Sequence, residues 1–222
     1  MVKMQIDTIL FDMDGLIFDT EKIYVELWRK VGEQFQIPVD DEFLLPSRGM
    51  IRADSQRLFE SLYGKNVPYD EIVDARQKMI MERLEEGFDC KHGLHELLDY
   101  LKEEKYQIVL ATSTPKERAI WMLEQAGIQD YFHSFICGDM VKKGKPEPDI
   151  FIKAAESVAK KPEQCLVLED SLNGVRAGKR AGCHVIMIPD LVQPTKEIED
   201  MYDEKLEHLG QVIDWLKCHN QK

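Results

Sequence analysis

Asp12 and Asp14 stand two positions apart at the end of an apolar run, Ile6 to Phe11, and Gly15 follows them. Where a strand ends and the chain begins to turn, both carboxylates can face one cavity. Carboxylates held that close repel each other strongly unless a cation sits among them. Mg2+ suits such a set, because it prefers hard oxygen donors in near-octahedral geometry. A calcium loop of the EF-hand type is excluded, since Leu16 follows the glycine and an apolar run precedes the acidic pair. Further polar groups follow other apolar runs. Thr112, Ser113 and Thr114 come after Gln107 to Ala111, and Glu169 and Asp170 come after Cys165 to Leu168. Gly138 and Asp139 come after Ser134 to Cys137 and lead into Lys143-Gly-Lys-Pro. The hydroxyl of Thr112, beside the amides of a helix N-terminus, makes a natural phosphate cradle. Lys145 lies in Gly-Lys-Pro-Glu-Pro-Asp, where the prolines stiffen the loop and favour a fixed ammonium group. Paired carboxylates, a cradle and a fixed cation are what phosphoryl transfer requires, since it depends on charge neutralisation and alignment.

These residues need elements that bring them to one place. The apolar runs, with a further one at His184 to Ile188, are continuous rather than alternating, as expected of strands covered on both faces. Helical patterns lie between them, at about Gly93 to Glu104, Pro115 to Ala126, Pro148 to Ala159 and Leu172 to Ala181. The alternation implies an α/β fold with a parallel sheet and right-handed crossovers. Ligands of such sheets bind outside the carboxyl ends of the strands, where all the polar groups above stand. Thr114-Pro115-Lys116-Glu117 reads as a capping box opening one helix. From about Thr20 to Glu86 the pattern is helical throughout, with breaks at Gln36 to Pro38, Leu45 to Gly49 and Tyr63 to Pro68. That stretch reads as an all-helical insertion after the first strand. The highly charged tail after Pro189 ends in a short amphipathic helix around Val212 to Leu216.

Composition limits the partners. The chain has 222 residues and a net charge of −12. Nucleic-acid binders gain affinity by neutralising phosphates with a basic face, and none is visible, so no nucleic-acid partner is expected. No apolar run approaches the roughly 20 residues a membrane helix needs, so no membrane association is expected either. The start, Met-Val-Lys-Met-Gln, lacks the basic and apolar regions of a secretory leader, which points to the cytoplasm. Cys90, Cys137, Cys165, Cys183 and Cys218 form no CxxC pair and read as reduced thiols. A small phosphorylated metabolite is the expected partner, with the chain a monomer or a weak homodimer.

Four segments, in order, resemble the motifs of haloacid dehalogenase-superfamily phosphatases. They are Phe11-Asp-Met-Asp-Gly, Leu110-Ala-Thr-Ser-Thr, Lys145-Pro-Glu-Pro-Asp and Leu168-Glu-Asp-Ser-Leu-Asn-Gly. The nearest likeness is to the β-phosphoglucomutase and sugar-phosphate phosphatase branch. The resemblance implies a Rossmann-like parallel sheet core over residues 1–17 and 88–222, with a mobile helical cap over 18–87. It implies that Asp12 attacks phosphorus and becomes an aspartyl phosphate. It assigns Asp14 to protonate the leaving oxygen and then deprotonate the attacking water, and Thr112 and Lys145 to hold phosphoryl oxygens. Asp12, the backbone carbonyl of Asp14, and Asp170 would bind Mg2+, with Glu169 in or beside that set. The superfamily's dehalogenases lack the second aspartate and need no metal, so Asp14 argues against dehalogenation.

The insertion should decide substrate choice. Arg52-Ala-Asp-Ser resembles a cap segment whose arginine binds the distal phosphate in β-phosphoglucomutase, which makes Arg48 and Arg52 candidate substrate contacts. Ser113 and Glu21 are candidates to reach the same cavity. Tyr24 stands where the mutase has a cap histidine, a departure that favours hydrolysis over a mutase reaction. The expected activity is therefore Mg2+-dependent hydrolysis of a sugar phosphate or similar metabolite. A phosphomutase is the alternative, and a non-catalytic binding protein on the same fold is a third reading.

Overall fold

A computed structural model describes residues 5–220. The first four residues, read above for a leader, and the last two lie outside the described residues. The strands are β1 (Thr8–Phe11), β2 (Gln107–Ala111), β3 (Ser134–Ile136), β4 (Cys165–Glu169), β5 (His184–Met187) and β6 (Glu204–Lys205). They form one parallel sheet in the order β3-β2-β1-β4-β5-β6. Phe11 pairs with Leu110 on one side and Leu168 on the other, so the carboxyl ends of β1, β2 and β4 lie level. The order reverses at β1, which creates a crevice there, outside the strand ends.

The strands alternate between two cores. Ile9, Phe11, Ile108, Leu110, Leu166 and Leu168 face one side. They pack there against helices α5 (Leu94–Glu103), α6 (Lys116–Gln125) and α9 (Gln211–His219). Leu10, Val109, Ala111, Val167, Val185 and Met187 face the other side, under α7 (Asp149–Ser157) and α8 (Leu172–Ala181). Covering both faces explains why the strands read as unbroken apolar runs. Every residue of β1 and β4 is buried, and each large apolar side chain so placed contributes about 1.5–3 kcal/mol of transfer free energy.

The helical segment consists of α1 (Glu21–Gln34), α2 (Asp41–Leu44), α3 (Arg52–Tyr63) and α4 (Tyr69–Glu85). Its separations fall at the breaks expected from sequence. It has an aromatic core of its own, in which Trp28, Phe43 and Phe59 pack at ring separations of 4.9–5.9 Å. Tyr24, Leu27, Ile80 and Leu84 also join the core beneath the sheet, tying α1 and α4 to it.

Two details differ from expectation. Strand β6 was not foreseen. It is a two-residue exposed edge strand, Glu204–Lys205, and has no apolar signature to read. The capping box at Thr114 does not form, because α6 begins at Lys116 after Pro115 and no side chain caps it. The Thr114 hydroxyl is used elsewhere, as described below. All five cysteines are free thiols. No helix among the described residues is long and apolar enough to cross a membrane.

Candidate active site

Asp12 follows directly from β1, and its amide donates to the carbonyl of Leu168 at 3.1 Å, continuing the sheet pairing one residue past the strand. The chain then turns at Gly15, whose φ of +85° favours glycine. A Cβ at that position would lie 2.3 Å from Asp170 Oδ2, so only glycine lets the turn approach the carboxylate. Asp14 leaves the strand on the same turn. Its Oδ1 accepts from the Thr20 hydroxyl at 2.8 Å and its Oδ2 from the Thr114 hydroxyl at 2.6 Å.

Lys145 arrives from the loop after β3 and is fully buried. Its ammonium donates to Asp12 Oδ1 and Glu169 Oε1, each at 2.5 Å. Glu169 ends β4. Its second oxygen accepts from the Ser171 amide and hydroxyl, both at 2.9 Å. The Ser171 hydroxyl also accepts from the Gly174 amide at 3.0 Å and so caps α8. One serine thus starts a helix and fixes a buried carboxylate. A side chain at Gly174 would fall 1.7 Å from Glu169, which keeps that position small.

One oxygen each of Asp12, Glu169 and Asp170 can be chosen within 4.8 Å of one another, and all three residues are buried. Burial drives the Asp12 carboxyl up to about 8, against the pull of Lys145 and helped by the repulsion of Glu169. Burial, then Glu169 and Glu21, hold Asp170 well above the usual carboxylate range. Burial alone would lower Lys145, but the carboxylates of Asp12 and Glu169 hold it above the ordinary lysine range. A single ammonium thus serves a pocket of carboxylates that a hard divalent cation would stabilise as anions. The donors are all oxygens, and the set fits Mg2+.

A cavity of about 650 Å3 opens from this cluster toward the helical segment. Asp12, Asp14, Asp170, Thr112 and Ser113 line its floor, and Glu21, Arg48 and Arg52 line its walls. The Thr112 hydroxyl accepts from the Thr114 amide at 3.1 Å. The Ser113 hydroxyl donates to the Gly49 carbonyl at 2.5 Å and joins core to helical segment. Glu21 and Arg48 pair at 3.3 Å. Burial nonetheless raises Glu21 to about 7, opposed by Arg48. Arg52 reaches the cavity, but its guanidinium is bound to Asp70 at 2.7 Å and Asp74 at 3.1 Å. Lys145 and Glu169 lie just behind the floor and hold Asp12 from beneath.

Sequence reasoning did not single out Thr20, Ser171, Arg76 or Arg118, and it assigned Thr114 to a helix cap. Thr114 carried a signal that fitted two uses, and only the turn of the chain distinguishes them. Arg76 and Arg118 carried none, because a helical arginine reads as a solvated charge until the cavity it faces is known. Both line the cavity, 5.5 Å from the centre of the Tyr24 ring. The Tyr24 hydroxyl is buried in the same region. Burial, and then the neighbouring Asp14, push its pKa up.

Residues 6–182 match the haloacid dehalogenase-like hydrolase model. A phosphorylated carbohydrates phosphatase of Thermotoga maritima is 32% identical over 180 residues, which cover 79% of this chain and 82% of that protein. A β-phosphoglucomutase of Bacillus subtilis is 30% identical over 188 residues, 80% of this chain and 81% of that one. The crystal structure of CbbY from Rhodobacter sphaeroides in complex with phosphate superposes with a TM-score of 0.80 at 25% identity, covering 93% of this chain and 96% of that one. With its four motifs gathered at one sheet edge and the family model spanning most of its length, the chain belongs to the haloacid dehalogenase-like hydrolases.

Proposed function

We propose that this chain is a Mg2+-dependent phosphatase of small phosphorylated metabolites, sugar phosphates among them, acting through an aspartyl phosphate on Asp12. The observation that carries the reading is the position of the Asp12 carboxylate. It is held from behind by Lys145 and lies beside Glu169 and Asp170, at the floor of a cavity open to a small molecule.

Asp12, Asp170 and the backbone carbonyl of Asp14 would hold the cation, with Glu169 held behind them by Lys145 and Ser171. When bound, the ion would offset the charge of the phosphoryl oxygens and keep Asp12 ionised. In the first half-reaction a carboxylate oxygen of Asp12 bonds to phosphorus while the bond from phosphorus to the ester oxygen breaks. Asp14 gives its proton to the departing oxygen, so the alcohol leaves neutral. In the second half-reaction a water oxygen bonds to phosphorus, Asp14 takes its proton, and the bond to Asp12 breaks to release inorganic phosphate. Thr20 and Thr114 orient Asp14 for both transfers. Thr112 and Ser113 stand where phosphoryl oxygens would be bound. The helical segment acts as a cap that excludes water from this floor. Its closed contacts include those from Asn173 to the carbonyls of Pro46 at 2.9 Å and Arg48 at 2.8 Å.

A screen of phosphorylated metabolites with Mg2+, scored by release of inorganic phosphate, tests the proposal. Turnover that disappears with EDTA and in Asp12→Asn is expected. Turnover that survives Asp12→Asn would refute the covalent route.

A further inference from the structure

Arg76, on α4, and Arg118, on α6, come from separate layers of the molecule and meet at one aromatic ring. Each guanidinium carbon lies 5.5 Å from the Tyr24 ring centre, and Arg76 also lies 4.3 Å from that of Trp28. Neither forms an ion pair among the described residues. Their hydrogen bonds go to neutral groups. Arg76 donates to the Tyr24 carbonyl at 3.4 Å, and Arg118 to the Gln77 side chain at 2.5 Å and the Thr114 hydroxyl at 3.1 Å. The Nε atom of each is buried without a hydrogen-bond partner among the described residues. Glu21, whose field reaches Arg76, is already paired with Arg48.

The other arginines that line the cavity are compensated. Arg48 has Glu21, and Arg52 has Asp70 and Asp74. Two cations held near each other and partly withdrawn from water, with only aromatic faces and neutral acceptors, are costly unless an anion joins them. Guanidinium groups favour carboxylates and phosphates, which accept their parallel donors.

The position of the pair says which part of a ligand they meet. Arg118 bonds Thr114, and Thr114 bonds Asp14. The pair is therefore next to the group assigned to the leaving oxygen, while the phosphoryl group belongs with Asp12 and Thr112. We infer that Arg76 and Arg118 form a subsite for a second anionic group, a carboxylate or a further phosphate, carried on the leaving group of the substrate. This rests on the phosphatase reading above, which by itself requires only one phosphate. It also gives a second anion a contact beyond Arg52, which is paired with Asp70 and Asp74, in a pair of arginines that sequence inspection passes over.

The test uses matched substrates that differ by one anionic group. Glucose 6-phosphate against 6-phosphogluconate tests a carboxylate, and fructose 6-phosphate against fructose 1,6-bisphosphate tests a second phosphate. In at least one pair we expect kcat/KM for the more anionic member to exceed that of its counterpart by tenfold or more. Arg76→Met and Arg118→Met should each bring that ratio to within about threefold of one, while Arg76→Lys and Arg118→Lys should keep part of it. A structural or Asp14-positioning role would lower both members of a pair together and leave the ratio unchanged. Ratios near one for both pairs in the unaltered protein, or a ratio that survives both methionine variants, would overturn the subsite. If no substrate released phosphate, the phosphatase reading would fail, and thermal shifts with the same compounds would decide the subsite separately. A larger shift with 6-phosphogluconate or fructose 1,6-bisphosphate that both methionine variants abolish would support it, and equal shifts within each pair would refute it.

Discussion

Thr114 donates its hydroxyl to Asp14 across 2.6 Å, joining residues 100 positions apart at the ends of two adjacent strands. The second oxygen of the same carboxylate is bound by Thr20. Asp14 is thus held on both oxygens by hydroxyl groups, which can donate to the carboxylate yet rotate away when it carries a proton.

Thr114→Val should therefore lower kcat by about tenfold or more, a fraction of the 100- to 10,000-fold that positioned proton transfer supplies. KM should change little, because Thr114 acts on Asp14 rather than on bound phosphate. Thr114→Ser keeps the hydroxyl and should recover most of the rate. Steady-state kinetics on any substrate found by phosphate release would check this, and an unaltered kcat in Thr114→Val would disprove it.

Asp12→Asn should abolish phosphate release, with a loss of about three orders of magnitude or more, as when a nucleophile that works as part of a unit is removed. The protein should stay folded, because the amide can still accept from Lys145. Circular dichroism beside the activity assay separates the chemical loss from unfolding.

Lys145→Met should destabilise the fold. It leaves Asp12 and Glu169 without their shared ammonium in a buried pocket, and breaking a buried pair from one side costs about 3–5 kcal/mol. Urea denaturation in EDTA would measure it. The loss should shrink when Mg2+ is added, since the ion offsets the same carboxylates.

Metal-free protein should lose stability as the pH rises from about 5 to 8. Asp12 and Glu21 are raised to about 8 and about 7 in the fold, and Asp170 is raised as well. Unfolded carboxylic acids ionise near pH 4, so across this range the folded state binds more protons than the unfolded state. Stability then falls with pH, and it falls through the folded pKa values. Mg2+ binding requires the ionised carboxylates, so the upward shift in melting temperature on adding Mg2+ should be larger at pH 8 than at pH 6. Thermal melts with EDTA and with Mg2+ at both values would check it, and equal shifts would contradict it.

The parallel α/β core was legible because strands covered on both faces must be apolar throughout, and five such runs stand out between helical patterns. Asp12, Asp14, Lys145, Glu169 and Asp170 were legible for a related reason. Ligands of this architecture gather at strand ends, and these residues follow the strands directly or in the next short loop. The helical segment showed its breaks because Pro38, Gly49, Gly64 and Pro68 interrupt helical periodicity locally.

Direction and company were decided by the tertiary structure alone. The same Thr114 can cap a helix or hold a carboxylate, and its use depends on where β1 places Asp14. Arg52 lies in a segment that resembles one whose arginine binds a distal phosphate, yet α4 brings Asp70 and Asp74 against it. Arg76 and Arg118 look like surface charges along their helices, yet they converge on Tyr24 and neither has an ion pair among the described residues. Local periodicity determines which face of an element is apolar. It does not determine which charges meet across a cavity, because that depends on the packing of elements far apart in the chain.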